Sequence, residues 1–377
     1  MNLSTATRFR WLKTGDEAFT QMIDAIAAAV SSVRLETYIF EEGLVGRALR
    51  DALVSACRRG VKVRVLVDAL GSRSLPNSFA QPLHEAGGQF QWFNPLNLFR
   101  LEYRDHRKIL VCDEKVAFIG GFNVADHYLG DGITRGWKDL GLRIEGPLAA
   151  ELARAFDDIS RFAEFRHHPF LGLRRARGRG RVAAENWHLL QNGPGRGRNH
   201  LKRSLTEDLA RARDVRIISA YFLPGWRLRR ELRRAARRGA TVELILAGRT
   251  DVRLSKLASQ RLYASLLRAG VRIFEYQPQI LHAKLYLIDH HVYVGSANLD
   301  ARSMDINYEL LVRVSDRELA GSGRRLFAET RQHCRAIDRK EWRRARSFWT
   351  RLMERWSYFV LARLDRSWAE RRWRRTA

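Results

Sequence analysis

Cysteine is scarce in this chain. Three residues (Cys57, Cys112, Cys334) in 377 show neither paired metal-ligand spacing nor a disulfide framework, so neither a zinc module nor a cystine-stapled secreted domain is expected. A reduced, cytoplasmic setting fits best. Long apolar runs are missing too: none approaches the ~20 residues of a membrane span. Residues 1–15 contain no signal-peptide core. Any work on membranes is therefore expected from the surface. Acidic residues are in short supply, 41 against 68 Lys+Arg, which leaves a net charge of +27. Such an excess implies anionic partners, either nucleic acid or acidic lipid headgroups.

The chain does contain one pattern written twice. His106-Arg-Lys108-Ile-Leu-Val-Cys-Asp113 and His282-Ala-Lys284-Leu-Tyr-Leu-Ile-Asp289 both read His-x-Lys, four mostly apolar residues, then Asp. Each is followed by a glycine turn and an asparagine, Gly120-Gly121-Phe-Asn123 and Gly295-Ser296-Ala-Asn298. The apolar runs predict buried strands. Residues two apart on a strand share a face, so each His–Lys pair forms a working face. Each Asp, at odd offset, points away and supports the strand. A histidine titrating near neutrality beside a fixed ammonium suits chemistry at a phosphate. One imidazole can attack phosphorus while another protonates the leaving oxygen, and a duplicated motif supplies both.

The elements around the motifs repeat as well. Helices are predicted over 16–32, 44–59 and 77–86, with strands over 33–40, 61–68 and 89–93. In the second half, strands over 215–223, 241–246 and 271–276 alternate with helices over 226–238 and 254–269. Alternating strands and helices argue for a layered α/β fold. Tyr38 and Tyr221 lie 183 positions apart, Gly60 and Gly239 lie 179 apart, and the motif histidines 176. Spacings this similar indicate tandem duplication. The expected division is 1–165, a basic linker over 166–198, 199–335, and a tail over 336–377.

Three segments stand outside the repeat. About seven extra residues precede the first motif and carry Leu96, Leu98, Phe99, Leu101 and Tyr103, either as a lipid-entry loop or tucked into the core. The arginine-rich linker reads as a solvated loop or a phosphate-binding surface. In the tail, Trp342, Trp349 and Trp356 recur every seven residues with Ala345, Leu352 and Phe359 on the same stripe. Arg343, Arg344, Arg346, Arg351 and Arg355 fall on other faces. That pattern suits a helix lying on an acidic membrane, or alternatively one packed on the core or pairing with a second copy.

The paired motifs, with Glu36-Thr-Tyr-Ile-Phe, Arg143-Ile-Glu-Gly-Pro147, Ala220-Tyr-Phe-Leu-Pro224 and Gly295-Ser-Ala-Asn-Leu-Asp-Ala-Arg-Ser303, resemble the bacterial cardiolipin synthases of the phospholipase D superfamily. The lack of N-terminal spanning helices makes the chain most similar to their shorter, B-type members. The resemblance covers roughly residues 10–335. It implies two phospholipase D-like α/β/α sandwich halves related by a pseudo-twofold axis. It implies His106 and His282 as nucleophile and general acid/base, with His106 the nucleophile, and a phosphatidyl-histidine intermediate. Lys108, Lys284, Asn123 and Asn298 would hold the phosphate oxygens, with Ser296 offering a hydroxyl nearby. Each histidine would be oriented by a carboxylate of the opposite half, Glu309 for His106 and Asp139 for His282. Asp113 and Asp289 complete the motifs as strand supports. No metal or other cofactor is implied. Expected partners are phosphatidylglycerol and cardiolipin at the cytoplasmic face of the inner membrane, where the protein would be peripheral, rather than nucleic acid. The competing readings are a phospholipase D-type hydrolase or nuclease, and a non-catalytic membrane adaptor, against which two intact motifs argue.

Overall fold

The architecture comes from a computed structural model that describes residues 7–95, 103–161, 163, 180–194 and 199–364. In the first half, strands β1 (Arg8–Leu12), β2 (Ser32–Thr37), β3 (Lys62–Asp68), β4 (Gln89–Phe93), β5 (Ile109–Cys112), β6 (Val116–Gly120) and β7 (Gly141–Glu145) form one sheet in the order β1-β7-β6-β5-β2-β3-β4. Helices α1 (Gly15–Ala28), α2 (Leu44–Arg58) and α3 (Gln81–Glu85) cover one face, and α4 (Pro147–Ser160) packs on the other. Strands β2, β3 and β4 are parallel, as expected of alternating strands and helices, while β5 runs antiparallel to β2.

The second half repeats this plan. Strands β8 (Gly180–Ala183), β9 (Trp187–Asn192), β10 (Asp214–Ser219), β11 (Thr241–Arg249), β12 (Arg272–Ile280), β13 (Lys284–Ile288), β14 (His291–Gly295), β15 (Glu309–Ser315) and β16 (Cys334–Ala336) form the second sheet. Their order is β16-β12-β11-β10-β13-β14-β15-β9-β8. Helices α5 (His200–Arg211), α6 (Trp226–Arg237) and α7 (Arg253–Leu267) line the outer face, α8 (Arg317–Gln332) covers the inner one, and α9 (Arg339–Arg344) and α10 (Phe348–Phe359) follow. Helices α2 and α6 both stop at Arg-Arg-Gly because Gly60 and Gly239, at φ 86° and 89°, take the left-handed conformation that closes a helix.

Each half has its own outer core, but the inner faces of the two sheets share a third. There Val111, Ile119 and Leu142 pack in one cluster with Leu285, Val292 and Val312. Trp11 crosses the boundary and donates Nε1–H to Ser322 Oγ at 2.9 Å. This shared apolar layer fixes the orientation of one half on the other.

The structure departs from the sequence reading in three places. Residues 180–183 and 187–192, read as linker, are strands that extend the second sheet, with β9 paired to β15. Alternating inward residues Trp187 and Leu189 make β9 an interior strand, a period-two signal hidden among basic neighbours. The extra residues before the first motif lie mostly outside the described residues, Leu96, Leu98, Phe99 and Leu101 among them. Tyr103 is buried against Ile306 and does not line an entrance. The tail is not one stripe either, because Ser347 caps a new helix at α10. Trp342 turns inward and stacks on Tyr263, whereas Trp349 and Trp356 face outward, 71% and 60% exposed. Trp368 and Trp373 lie outside the described residues. No helix among the described residues is long and apolar enough to cross a membrane.

Asp113 and Asp289 sit in the turns that leave the motif strands, both left-handed at φ 53° and 52°. Asp113 accepts hydrogen bonds from the amides of Val30, Ser31 and Ser32 and from Ser31 Oγ. Asp289 accepts from the amides of Arg213 and Asp214. Each clips its motif strand to the start of the adjacent antiparallel strand, β2 for Asp113 and β10 for Asp289, remote from the histidines. Burial pushes the Asp113 carboxyl up, but these donors more than offset it and hold the group at about 2. Asp113→Ala and Asp289→Ala should each cost roughly 1–3 kcal/mol of stability through the orphaned amides, with turnover retained below the melting transition. Thermal melts paired with kcat measurements check this; kcat collapsing at unchanged Tm would contradict it.

Candidate active site

The motif histidines precede their strands by a few residues, where each chain segment bridges to the opposite half. His106 N donates to Tyr308 O at 3.0 Å, and Tyr308 N to Arg104 O at 2.9 Å. Across the pseudo-twofold, His282 N donates to Lys138 O at 2.7 Å, and Lys138 N to Ile280 O at 2.8 Å. Tyr308 and Lys138 each stand one residue before a carboxylate. The bridges therefore place Glu309 beside His106 and Asp139 beside His282.

The side chains complete that exchange. His106 Nδ1 lies 3.0 and 3.2 Å from the Glu309 oxygens, and His282 Nδ1 lies 2.5 Å from Asp139 Oδ2. Both acids are fully buried. Burial alone would raise them, but His106 and Lys108 hold Glu309 low, and Lys284 and His282 hold Asp139 low, so both stay ionised. An ionised partner at Nδ1 favours the proton there and leaves Nε2 as the unprotonated nitrogen of a neutral ring. Nε2 of His106 has no partner among the described residues.

Lys108 and Lys284 share the faces of their histidines, as the strand parity predicts. Lys108 Nζ donates to His106 O at 2.7 Å. Lys284 Nζ bonds His282 O and lies 2.8 and 3.1 Å from the two ring nitrogens. Burial depresses both ammoniums, Lys108 to about 7 and Lys284 to about 8. Burial likewise lowers both imidazoles, with the lysines adding to it against the opposing pull of the acids. Each histidine also feels the lysine of the other half, so the four groups form one electrostatic unit. No group of three or more acidic, histidine or cysteine ligands is arranged to hold a metal among the described residues.

The asparagines differ from each other. Asn123 is committed: Nδ2 donates to Tyr128 OH at 2.6 Å, and Oδ1 accepts from Ile39 N at 3.2 Å. Asn298 is buried with Oδ1 unpaired, which leaves its amide free to turn toward a bound group.

Ser296 is not aimed at a phosphate. Its hydroxyl donates to Glu309 Oε2 and accepts from Leu310 N at 3.0 Å. At the matching place in the first half, Leu140 N donates straight to Asp139 Oδ1 at 2.8 Å. A Cβ added to Gly121 would stand 2.1 Å from that same oxygen. The Gly/Ser difference between the halves thus accompanies the Asp/Glu difference: the longer acid is tied through a hydroxyl, the shorter directly by backbone.

Sequence reasoning missed the aromatic and ionic surroundings. Tyr128 OH lies 3.3 Å from His282 Nδ1, and Trp137 flanks the same ring. The Tyr38 ring meets His106 edge-on at 5.0 Å. Arg107, buried under the first motif, pairs with Glu36 at 2.8 Å, where the second motif has Ala283. Of these, Tyr38 gave a prior signal through its parallel with Tyr221, and Glu36 through the stretch that carries the resemblance.

Gly121→Ala should displace Asp139 and cut turnover about 10²-fold, the lower end of losing one acid/base group. Ser296→Ala should cost less, since only one of two contacts to Glu309 is lost. Equal and small effects of both on kcat would contradict this division of labour.

Residues 22–159 and 205–331 match the family described as "Cardiolipin synthase, PLD-like domain". Cardiolipin synthase B of Salmonella typhimurium is 36% identical over 329 residues, 81% of this chain and 76% of that protein. Cardiolipin synthase 1 of Bacillus anthracis is 31% identical over 344 residues, 88% of this chain and 68% of that protein. Among solved structures, a phosphatidylserine synthase from Haemophilus influenzae Rd KW20 superposes with TM-score 0.74 at 15% identity, covering 96% of this chain and 94% of that one, a likeness of fold. With two thirds of its length in two matched stretches and a relative above one-third identity, the chain belongs to the cardiolipin synthase family of phospholipase D-like enzymes.

Proposed function

We propose that the protein is a phosphatidyltransferase that makes cardiolipin, moving a phosphatidyl group from phosphatidylglycerol or a related phospholipid to the glycerol hydroxyl of a second phosphatidylglycerol. The observation that carries this reading is the pair of buried imidazole–carboxylate bonds, one from each half, with two ammoniums between them. His106 attacks phosphorus through Nε2. The bond to the leaving alcohol breaks as His282 supplies its proton. The acceptor hydroxyl then gives its proton to His282 and attacks the phosphatidyl-histidine, the P–N bond breaks, and His106 is restored. The unpartnered Nε2 of His106, on the more exposed of the two rings, supports its role as nucleophile.

Lys108, Lys284 and the Asn298 amide hold the non-bridging oxygens and stabilise the charge of the five-coordinate transition state. Asn123, tied to Tyr128, acts by positioning the His282 surroundings. Lowered imidazoles are neutral at rest, which suits the nucleophile. The acid needs a proton, and the bound phosphodiester favours it by offsetting the two ammoniums beside the ring. The site lies at the carboxyl ends of the parallel strands, where α/β sheets commonly bind ligands. We place the protein peripherally on the cytoplasmic face of the inner membrane, with anionic phospholipids as its partners.

Pure protein incubated with phosphatidylglycerol vesicles should yield cardiolipin, and His106→Ala or His282→Ala should each lower the rate at least about 10²–10⁴-fold. Free phosphatidic acid as the main product, or cleavage of DNA in a parallel reaction, would favour the hydrolase or nuclease instead. A pH dependence follows from the lysines. Their charge is lost as pH rises through about 7 to about 8, and a phosphodiester binds the charged form better. KM for phosphatidylglycerol in mixed micelles should therefore rise above neutrality, while the substrate's own charge stays constant. A KM independent of pH across that window would contradict the assignment.

A further inference from the structure

Where α7, α9 and α10 meet, a pocket of about 540 Å³ opens that shares no residue with the histidine site. Arg261, Arg268, Arg339, Arg343, Arg351 and Arg355 line it, all exposed. Glu354 is the one acid among its lining residues, and its carboxylate is taken by Arg346, buried at 2.5 Å from it. Arg261, Arg268, Arg339, Arg343 and Arg355 form no ion pair among the described residues. Arg346 itself stacks over Trp342 and keeps a buried Nη1 without a partner. A cavity with this much uncompensated positive charge, and an unsatisfied donor on a lining side chain, suits an anion.

The apolar part of the site identifies the anion's class. Trp342, Leu267, Phe348 and Leu352 line the same pocket, and Phe348 and Leu352 continue outside it. On α10 they share an exposed face with Trp349, Met353, Trp356 and Phe359, each at least 46% exposed. An arginine pocket opening onto an aromatic face fits a molecule with a phosphate at one end and acyl chains at the other. A free phosphate would use the arginines alone and leave that face in water.

We infer that this pocket is a second, non-catalytic site for an anionic phospholipid of the membrane, taking its headgroup phosphate on the arginines and its acyl chains along the face of α10. The site would seat the protein on acidic bilayers and keep it there between turnovers. The inference stands apart from the histidine chemistry.

The test uses the full chain in flotation with phosphatidylcholine vesicles, with and without phosphatidylglycerol. Arg261→Gln and Arg343→Gln should each weaken partitioning onto the acidic vesicles about fivefold, the effect of one arginine at an anionic surface. The doubly neutralised protein should lose roughly the product of the two. Phe348→Ser with Leu352→Ser should abolish the binding that survives high salt. Turnover of a soluble phosphodiester should stay at the wild-type rate in all of these, which separates a failure here from a failure of the proposed reaction. Unchanged vesicle binding would overturn the inference. So would a loss confined to duplex DNA, which would make the pocket a nucleic-acid surface, or one confined to soluble glycerophosphate, which would make it a site for a free anion.

Discussion

Each motif imidazole is held by a carboxylate that belongs to the other half of the molecule. That exchange is the constraint on which everything else depends. It works because the segments that carry the acids and the histidines are already hydrogen-bonded across the interface, through Tyr308 with Arg104 and His106, and through Lys138 with Ile280 and His282. Those backbone bonds in turn need the two sheets to be locked together, which the shared core of Val111, Ile119, Leu285 and Val292 accomplishes. Burial of apolar surface at the interface thus sets the orientation of two rings. Neither half could build the site alone, since each has a histidine with no orienting acid and an acid with no histidine.

The charges at the centre nearly cancel, and the cancellation shapes the chemistry. Two buried carboxylates face two buried ammoniums, and both histidines are driven toward the neutral form. Desolvation lowers both ammoniums, Lys108 to about 7 and Lys284 to about 8, so their charge is easier to lose than that of an exposed lysine. In the proposed reaction a bound phosphodiester would favour the charged form of both lysines and the protonated form of the acid histidine, the state that its own cleavage requires. The family match and the outward aromatic face of α10 are both in keeping with the proposal that the molecule approaches its substrate from the bilayer surface.

Much of this was legible in the residues, and the reasons are physical. Short continuous apolar runs marked β5 and β13, and the parity of His-x-Lys put the paired side chains on one face. Near-constant spacing between the halves announced the repeat. The cross-half pairing of Glu309 and Asp139 was available from the family resemblance, not from composition or periodicity. Ser296 was misread because a hydroxyl beside a phosphate site looks like a ligand, and only the Cβ space at Gly121 and the longer reach of Glu309 show it to be a brace. Strands β8 and β9 escaped notice because basic residues on the solvent side hid an alternating pattern. The heptad of tryptophans mixed two environments, since Ser347 breaks the helix and rotates Trp342 into the core while Trp349 and Trp356 stay outside. Arg107 with Glu36 and Tyr128 with Asn123 were invisible for a simpler reason: nothing in a linear sequence says which distant side chains a fold will bring together.

The most direct measurement is a pre-steady-state burst with a p-nitrophenyl phosphodiester in a His282→Ala variant. Nitrophenolate leaves without a proton, so the first step needs only the nucleophile, whereas release of the phosphoryl group still needs the missing imidazole. The account predicts one equivalent of nitrophenolate per protein, followed by near arrest, with the phosphorus covalently on His106. Continuous turnover without a burst, or phosphorus carried by any other residue, would contradict the joining of two halves around one phosphorus atom.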